Sequence, residues 1–207
     1  GMNEESRYVF FGGSWNVWLD EVTMAKALSA ALESDPELRF VCCGIPTGPA
    51  GEQIHQALLK DLRHFDERVI ELPPRQLEKE NALLAWAGAC LSLDRPIPEA
   101  ELGSRNRLLA MVRWGARPVI SMEAGIEAEL MAEGLAAGIV ERNWDRAAKE
   151  ILAACARSSE QREQDRLAGL DWLKSVTFEK SLKPVLSWID HHAPLWPEPP
   201  MTWIRSM

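Results

Sequence analysis

The 207-residue chain has a single tyrosine, four cysteines and four histidines, and each scarcity narrows what it can be. Cys42 and Cys43 are adjacent inside the apolar run Phe40–Cys43, where neighbouring strand residues point to opposite faces and do not bridge. No CxxC pair occurs, which excludes a zinc ribbon and a thioredoxin-like redox centre. Cys42, Cys43, Cys90 and Cys155 are therefore expected as buried free thiols, acting as small apolar residues in a reducing compartment. His55, His64, His191 and His192 show no HExxH or other ligand spacing, so no metal is expected. Positive charge is short as well. The 23 Lys and Arg stand against 31 Asp and Glu, for a net charge of -8, the wrong sign for a nucleic-acid partner. No apolar run approaches the ~20 residues of a membrane helix, and no basic segment leads into an apolar one as in a secretory leader. The expectation is a chain without an integral membrane span, located in the cytoplasm.

What is present is the mix of a globular protein: 46% hydrophobic and 26% charged residues. The nine tryptophans are scattered rather than strung along a basic groove, which marks most of them as packing residues. Short apolar runs alternate with longer stretches of helical periodicity. The runs predict strands at 8–11, 39–43, 68–72, 89–93, 117–121 and 137–140. Helices are predicted over 20–33, 52–63, 76–86, from an N-cap at Ser104 to Trp114, then 127–133, 145–156 and 178–191, with a further helix starting in 157–166. This alternation implies βαβ units and a doubly covered parallel sheet. Right-handed crossovers then give a Rossmann-like doubly wound α/β fold with strand order 3-2-1-4-5-6. The expected organisation is a Rossmann-like domain over 7–157, C-terminal helices over 158–192 and a Pro/Trp-rich tail over 193–207. Val185, Leu186, Trp188 and Ile189 give the last helix apolar surface. Pro194, Pro197, Pro199 and Pro200 keep the tail from continuing it, and an apolar patch is expected near Trp196 and Trp203.

Ligands of open α/β sheets bind beyond the carboxyl ends of the strands, which restricts attention to a few loops. Gly12-Gly13-Ser14-Trp15-Asn16 follows the first strand; its glycines would let the backbone approach a phosphate, or simply form a tight turn. Leu72-Pro73-Pro74-Arg75 follows the third strand. Glu99 to Arg107 follows the fourth and opens a helix, whose N-terminal N–H groups attract anions. Arg105 and Arg107 sit in its first turns. They could grip a phosphate or pair with Asp94, Glu99 or Glu101. There is no GxGxxG, Walker loop, nucleophile elbow or Cys-His pair, which argues against an NAD-dependent oxidoreductase and against acyl-transfer chemistry.

Arg117-Pro118-Val119-Ile120, preceded by Leu108 to Gly115, resembles a signature of retaining GT-B glycosyltransferases of the family 4 type. Gly125 to Leu130 resembles the turn that follows it. Tyr8 to Gly13, the long helix and then Leu38 to Gly44 resemble the opening of that family's C-terminal domain. Asp94 to Leu109 is similar to a segment of one subgroup, and Thr177-Phe178-Glu179 with Lys183 to Leu186 to its closing helix. The resemblance spans residues 7–190.

It implies one half of a GT-B fold, in which two Rossmann-like domains face a cleft. The C-terminal half binds a nucleoside-diphosphate sugar donor without a metal, and a separate N-terminal domain binds the acceptor. Gly12, Gly13, Ser14, Trp15 and Asn16 would lie near the donor phosphates, and Leu72 and Pro73 near the base. Glu101, Leu102, Gly103, Ser104, Arg105 and Arg107 would face the sugar and diphosphate. Two departures stand out. The family's second Glu falls at Ala110, with Glu101 one residue out of register with the first. The first loop carries Trp15 and Trp18 but no cation, leaving Arg105, Arg107 and the helix dipole to neutralise the phosphates. The alternative implied is a degenerate module that binds a nucleotide-sugar or a protein partner without catalysis.

Overall fold

The computed structural model describes residues 7–73, 77–101, 106–121, 125–139 and 142–192. Six strands form one sheet: β1 (Tyr8–Trp15), β2 (Arg39–Pro46), β3 (Val69–Leu72), β4 (Ala89–Ser92), β5 (Arg117–Ile120) and β6 (Ala137–Gly138). All neighbours are parallel and the order is β3-β2-β1-β4-β5-β6, as the alternation predicts. The helices are α1 (Glu21–Ser34), α2 (Gly48–Leu62), α3 (Leu77–Trp86), α4 (Pro98–Glu101), α5 (Asn106–Trp114), α6 (Ile126–Ala132), α7 (Trp144–Cys155), α8 (Ser159–Ser175) and α9 (Phe178–His192). A 3-10 turn over Arg63–Arg68 joins α2 to β3.

The period of two along each strand divides the core. Val9, Phe11, Phe40, Cys42, Leu91 and Val119 share one cluster with Met24 and Leu28 of α1, Leu58 of α2 and Ile151 of α7. The alternate residues Tyr8, Phe10, Val41, Cys43, Cys90 and Ile120 are equally buried. They face the other layer, where the Tyr8 hydroxyl donates to Leu83 O of α3 and α3 packs on α5. All four cysteines are free and buried. Loss of hydration pushes the Cys42 and Cys155 thiols up to about 12 and Cys90 well above its ordinary value. These thiols are packing groups rather than nucleophiles.

The strand ends at the carboxyl edge differ from the sequence reading: β1 and β2 run on to Trp15 and Pro46, β4 and β5 each stop one residue early, and β6 stops two residues early at Gly138. β1 does not turn after Phe11. It continues because β2 also continues past Gly44, pairing Gly12 with Cys43, Gly13 with Gly44, Ser14 with Ile45 and Trp15 with Pro46. The glycines read as turn punctuation are sites of close approach: a Cβ on Gly44 would lie 2.3 Å from Gly13 O and 2.8 Å from Trp15 Nε1. β4 ends at Ser92 because Leu93 O accepts from Asp20 N at 2.9 Å instead of staying in the ladder. The short α4 and the 3-10 turn have no counterpart in the sequence reading; four to six residues are too few for a periodic signal.

The chain divides into two compact units, Gly1–Leu170 and Asp171–Met207. In the second, Val185, Leu186, Trp188 and Ile189 of α9 are between 45% and 51% exposed, as expected of an amphipathic helix that shows its apolar stripe. Trp196, Trp203 and the rest of the tail lie outside the described residues. Among the described residues no helix is long and apolar enough to cross a membrane.

Candidate functional site

β1 and β4 are neighbours at the point where the strand order reverses, the position at which doubly wound sheets open a crevice. The chains leaving these two strands are tied together. Asp20 N donates to Leu93 O at 2.9 Å and Arg95 N to Trp18 O at 2.6 Å, with a bridge between Leu19 and Asp94. Asn16 closes the turn after β1 by accepting from Trp18 N at 2.9 Å.

This crossing buries two carboxylates, Asp20 and Asp94, at 0% and 2% exposure. A buried charge needs a partner, and each has an arginine. Arg107 Nη2 donates to both Asp94 oxygens at 2.9 and 2.7 Å, and its Nε donates to Ser92 Oγ at 3.1 Å. Ser121 locks Asp94 from the other side: its Oγ donates to Asp94 O at 2.8 Å and lies 2.6 Å from Asp94 N. Asp20 caps α1, accepting from Thr23 N at 3.2 Å and Thr23 Oγ1 at 2.7 Å. It also holds the Arg142 guanidinium through both oxygens. Burial pushes the Asp20 carboxyl up, but the bonds from Arg142 and Thr23 outweigh it and hold the group below its ordinary value. Arg142 sits at φ +54°, a left-handed backbone unusual for a long side chain, and its side chain is 49% exposed. A third pair, Arg95 with Glu21 at 2.5 Å, flanks the first two.

The residues singled out from the sequence fall as follows. Gly12, Gly13, Ser14 and Trp15 are strand rather than loop. Gly13 and Ser14 are exposed at the edge, and Gly13 has φ +126° with open space where a Cβ would be. Trp15 is 1% exposed, its ring packed on Phe11 and His55 at centroid distances of 4.4 and 4.6 Å. Leu72 ends β3 and is brought level with Gly12, because both are in register with Cys43; two strand spacings separate them, about 10 Å. Cys43 Sγ donates to Pro73 O at 3.4 Å. Glu101 ends α4. Leu102, Gly103, Ser104 and Arg105 lie outside the described residues. Arg107 is at the crevice and makes the Asp94 pair, the plainer of the two roles the sequence allowed.

Sequence reasoning passed over Asp20, Ser92, Ser121 and Arg142. Asp20 was legible as an N-cap, an acid directly before an amphipathic run with Thr23 three residues on. Nothing local announces Arg142, 122 residues away from its partner.

The fold defines a class: an all-parallel, doubly wound, Rossmann-like domain, with the Asp94–Arg107 and Asp20–Arg142 pairs beside its switch point. Among solved structures the fold resembles one Rossmann-like half of a GT-B fold. The N-terminal domain of Candida albicans trehalose-6-phosphate phosphatase aligns with TM-score 0.69 and 14% identity, over 91% of this chain and 42% of that one. An alpha,alpha-trehalose-phosphate synthase (UDP-forming) from Burkholderia vietnamiensis aligns with TM-score 0.68 and 12% identity, over 91% and 46%. The C-terminal domain of a glycosyl transferase group 1 family protein (LpcC) from Francisella tularensis aligns with TM-score 0.66 and 12% identity, over 82% and 85%. The chain thus spans less than half the length of the first two and nearly the whole of an isolated C-terminal domain. At these identities the likeness is one of fold. No protein-family model matches the sequence, and no curated protein does.

Proposed function

We propose that this chain is the donor half of a glycosyltransferase, holding a nucleoside-diphosphate sugar in the crevice between the carboxyl ends of β1 and β4. The observation that carries the reading is an arginine at the start of α5, Arg107, immobilised on a buried carboxylate at the switch point of a GT-B-type sheet. Gly12 to Asn16 would border the phosphates, Leu72 and Pro73 the base, and Glu101 to Arg107 the sugar and diphosphate. As the bond from the anomeric carbon to the diphosphate oxygen breaks, negative charge builds on the leaving group. Arg105, Arg107 and the N–H groups of the α5 terminus would meet that charge with donors fixed in advance. Asp94 acts on the donor only through Arg107, by keeping its guanidinium in one orientation. No metal is required in this scheme.

Calorimetric titration with UDP, GDP, their sugars and NAD tests the reading. Arg105→Ala and Arg107→Ala are each expected to weaken nucleoside-diphosphate binding on the order of 10- to 100-fold, the loss of a charge-assisted contact. Unchanged binding in both variants, or preference for NAD, overturns it. Because proximity supplies much of the rate of group transfer, the 207-residue chain alone is expected to bind donor but show no turnover; measurable transfer to any acceptor would contradict this. The second reading is a module that binds without catalysis. It is favoured by Ala110, which stands where the family that the chain resembles carries a carboxylate. Joining an acceptor domain to the chain separates the two, since only the catalytic reading then yields product.

A further inference from the structure

A trough of about 450 Å³ lies over α1, walled by the start of α7 and the end of α2. It shares no residue with the crevice. Lys26, Ser29, Ala30 and Glu33 line it from α1, at the i, i+3, i+4, i+7 spacing that places side chains on one face. That stripe is about 10 Å long at the helical rise. Trp144, the first residue of α7, forms one wall and is 41% exposed. Asp61, near the end of α2, contributes to the other. Lys26, Glu33 and Asp61 are all exposed, and none of the three has an ion-pair partner among the described residues. Charged groups elsewhere on these helices do pair: Arg146 with Glu150 and Lys149 with Asp145 on α7.

The lining selects a chemistry. Alanine is its only aliphatic residue type, too little apolar surface to hold an acyl chain or the face of an amphipathic helix. Two carboxylates against one ammonium, on a chain of net charge -8, disfavour a phosphate or a nucleic acid. A partly exposed indole with acceptors at Glu33 and Asp61 and donors at Lys26 and Ser29 suits a ligand that is apolar on one ring face and hydroxylated around its rim. The small side chains of Ser29 and Ala30 leave room for such a ring to lie along α1. We propose that this trough binds a short neutral oligosaccharide, one sugar ring against Trp144 and the next units hydrogen-bonded to Glu33 and Asp61.

The test uses the full chain and three neutral probes, maltotriose, cellotriose and chitotriose, at millimolar concentration with calorimetric or NMR detection. At least one is expected to bind. Trp144→Ala is expected to weaken it tenfold or more, and the pair Glu33→Gln and Asp61→Asn by a similar factor, the latter with the melting temperature unchanged because both carboxylates are exposed. UDP and GDP binding is expected to be the same in Trp144→Ala as in the parent. Loss of nucleotide binding in the parent would therefore count against the donor reading alone. Failure of all three trisaccharides to bind overturns the proposal, as does equal binding by Trp144→Ala. Displacement of the sugar by a lysine-rich peptide that binds more tightly would also overturn it, marking the trough as a site for cationic peptides.

Discussion

Replacing Asp20 with alanine is expected to lower the melting temperature by about 5 °C, the consequence of about 1–3 kcal/mol lost with the α1 cap and the charge-assisted bonds to a half-exposed arginine. The carboxylate is fully buried, caps α1 through Thr23 and clamps Arg142, so one substitution removes three interactions at once. The pH dependence carries the same signature. The Asp20 carboxyl is held below its ordinary value in the folded chain. Its stabilisation is therefore complete above the pH at which an unfolded aspartate titrates, about 3.9, and drains away as pH falls through the lower folded value. Asp20→Asn is expected to be less stable than the parent near neutrality and to approach it in acid. Chemical denaturation at pH 7 and at low pH measures both, and parallel stability curves for the two proteins would show that Asp20 is not coupled to Arg142. Arg142→Gly adds a control. Compared with Arg142→Ala it relieves the left-handed backbone, so it should be the more stable of the two by about 1 kcal/mol.

Gly44→Ala is the second large effect. Its Cβ would stand 2.3 Å from the carbonyl oxygen of Gly13 and 2.8 Å from Trp15 Nε1. The first is backbone and cannot rotate away, so β1 and β2 must separate at the crevice edge. A cost of about 3 kcal/mol is expected, the upper end for overpacking a core. Hydrogen exchange would show the damage as lost protection at the amides of β1 from Gly13 to Trp15, with Val9 to Phe11 still protected. If the donor reading is right, nucleoside-diphosphate affinity falls with it, because these residues border the phosphates. Wild-type protection across the whole of β1 would mean that the strand ends are more compliant than their packing implies.

The candidate site was half legible for reasons that can be named. Gly12 and Gly13 drew attention to the right edge of the sheet, since glycine after an apolar run marks a place where backbone comes close to something. Here the nearest thing is a neighbouring strand: Gly13 is paired with Gly44. Trp15, read as part of a ligand loop, is buried against Phe11 and His55, because extending β1 by two pairs of residues turns its side chain into the layer of α2. Arg107 pairs with Asp94, one of the two roles the charges permitted. The choice between them depended on burial, which decides whether Asp94 tolerates being left alone.

The sequence by itself determined the class of fold and the strand order, because period-2 runs alternating with period-3.6 stretches leave a doubly wound sheet as the way to bury both faces, and crossover handedness does the rest. It also determined that the cysteines are packing residues, since no spacing among them supports a bridge or a metal. Tertiary structure alone decided where the strands end and which charges share the crevice. Strand ends depend on whether the neighbouring strand continues, as β2 does to Pro46. The Asp20–Arg142 pair joins residues from opposite ends of the domain, and no local pattern encodes a contact whose partners meet only after the sheet has formed.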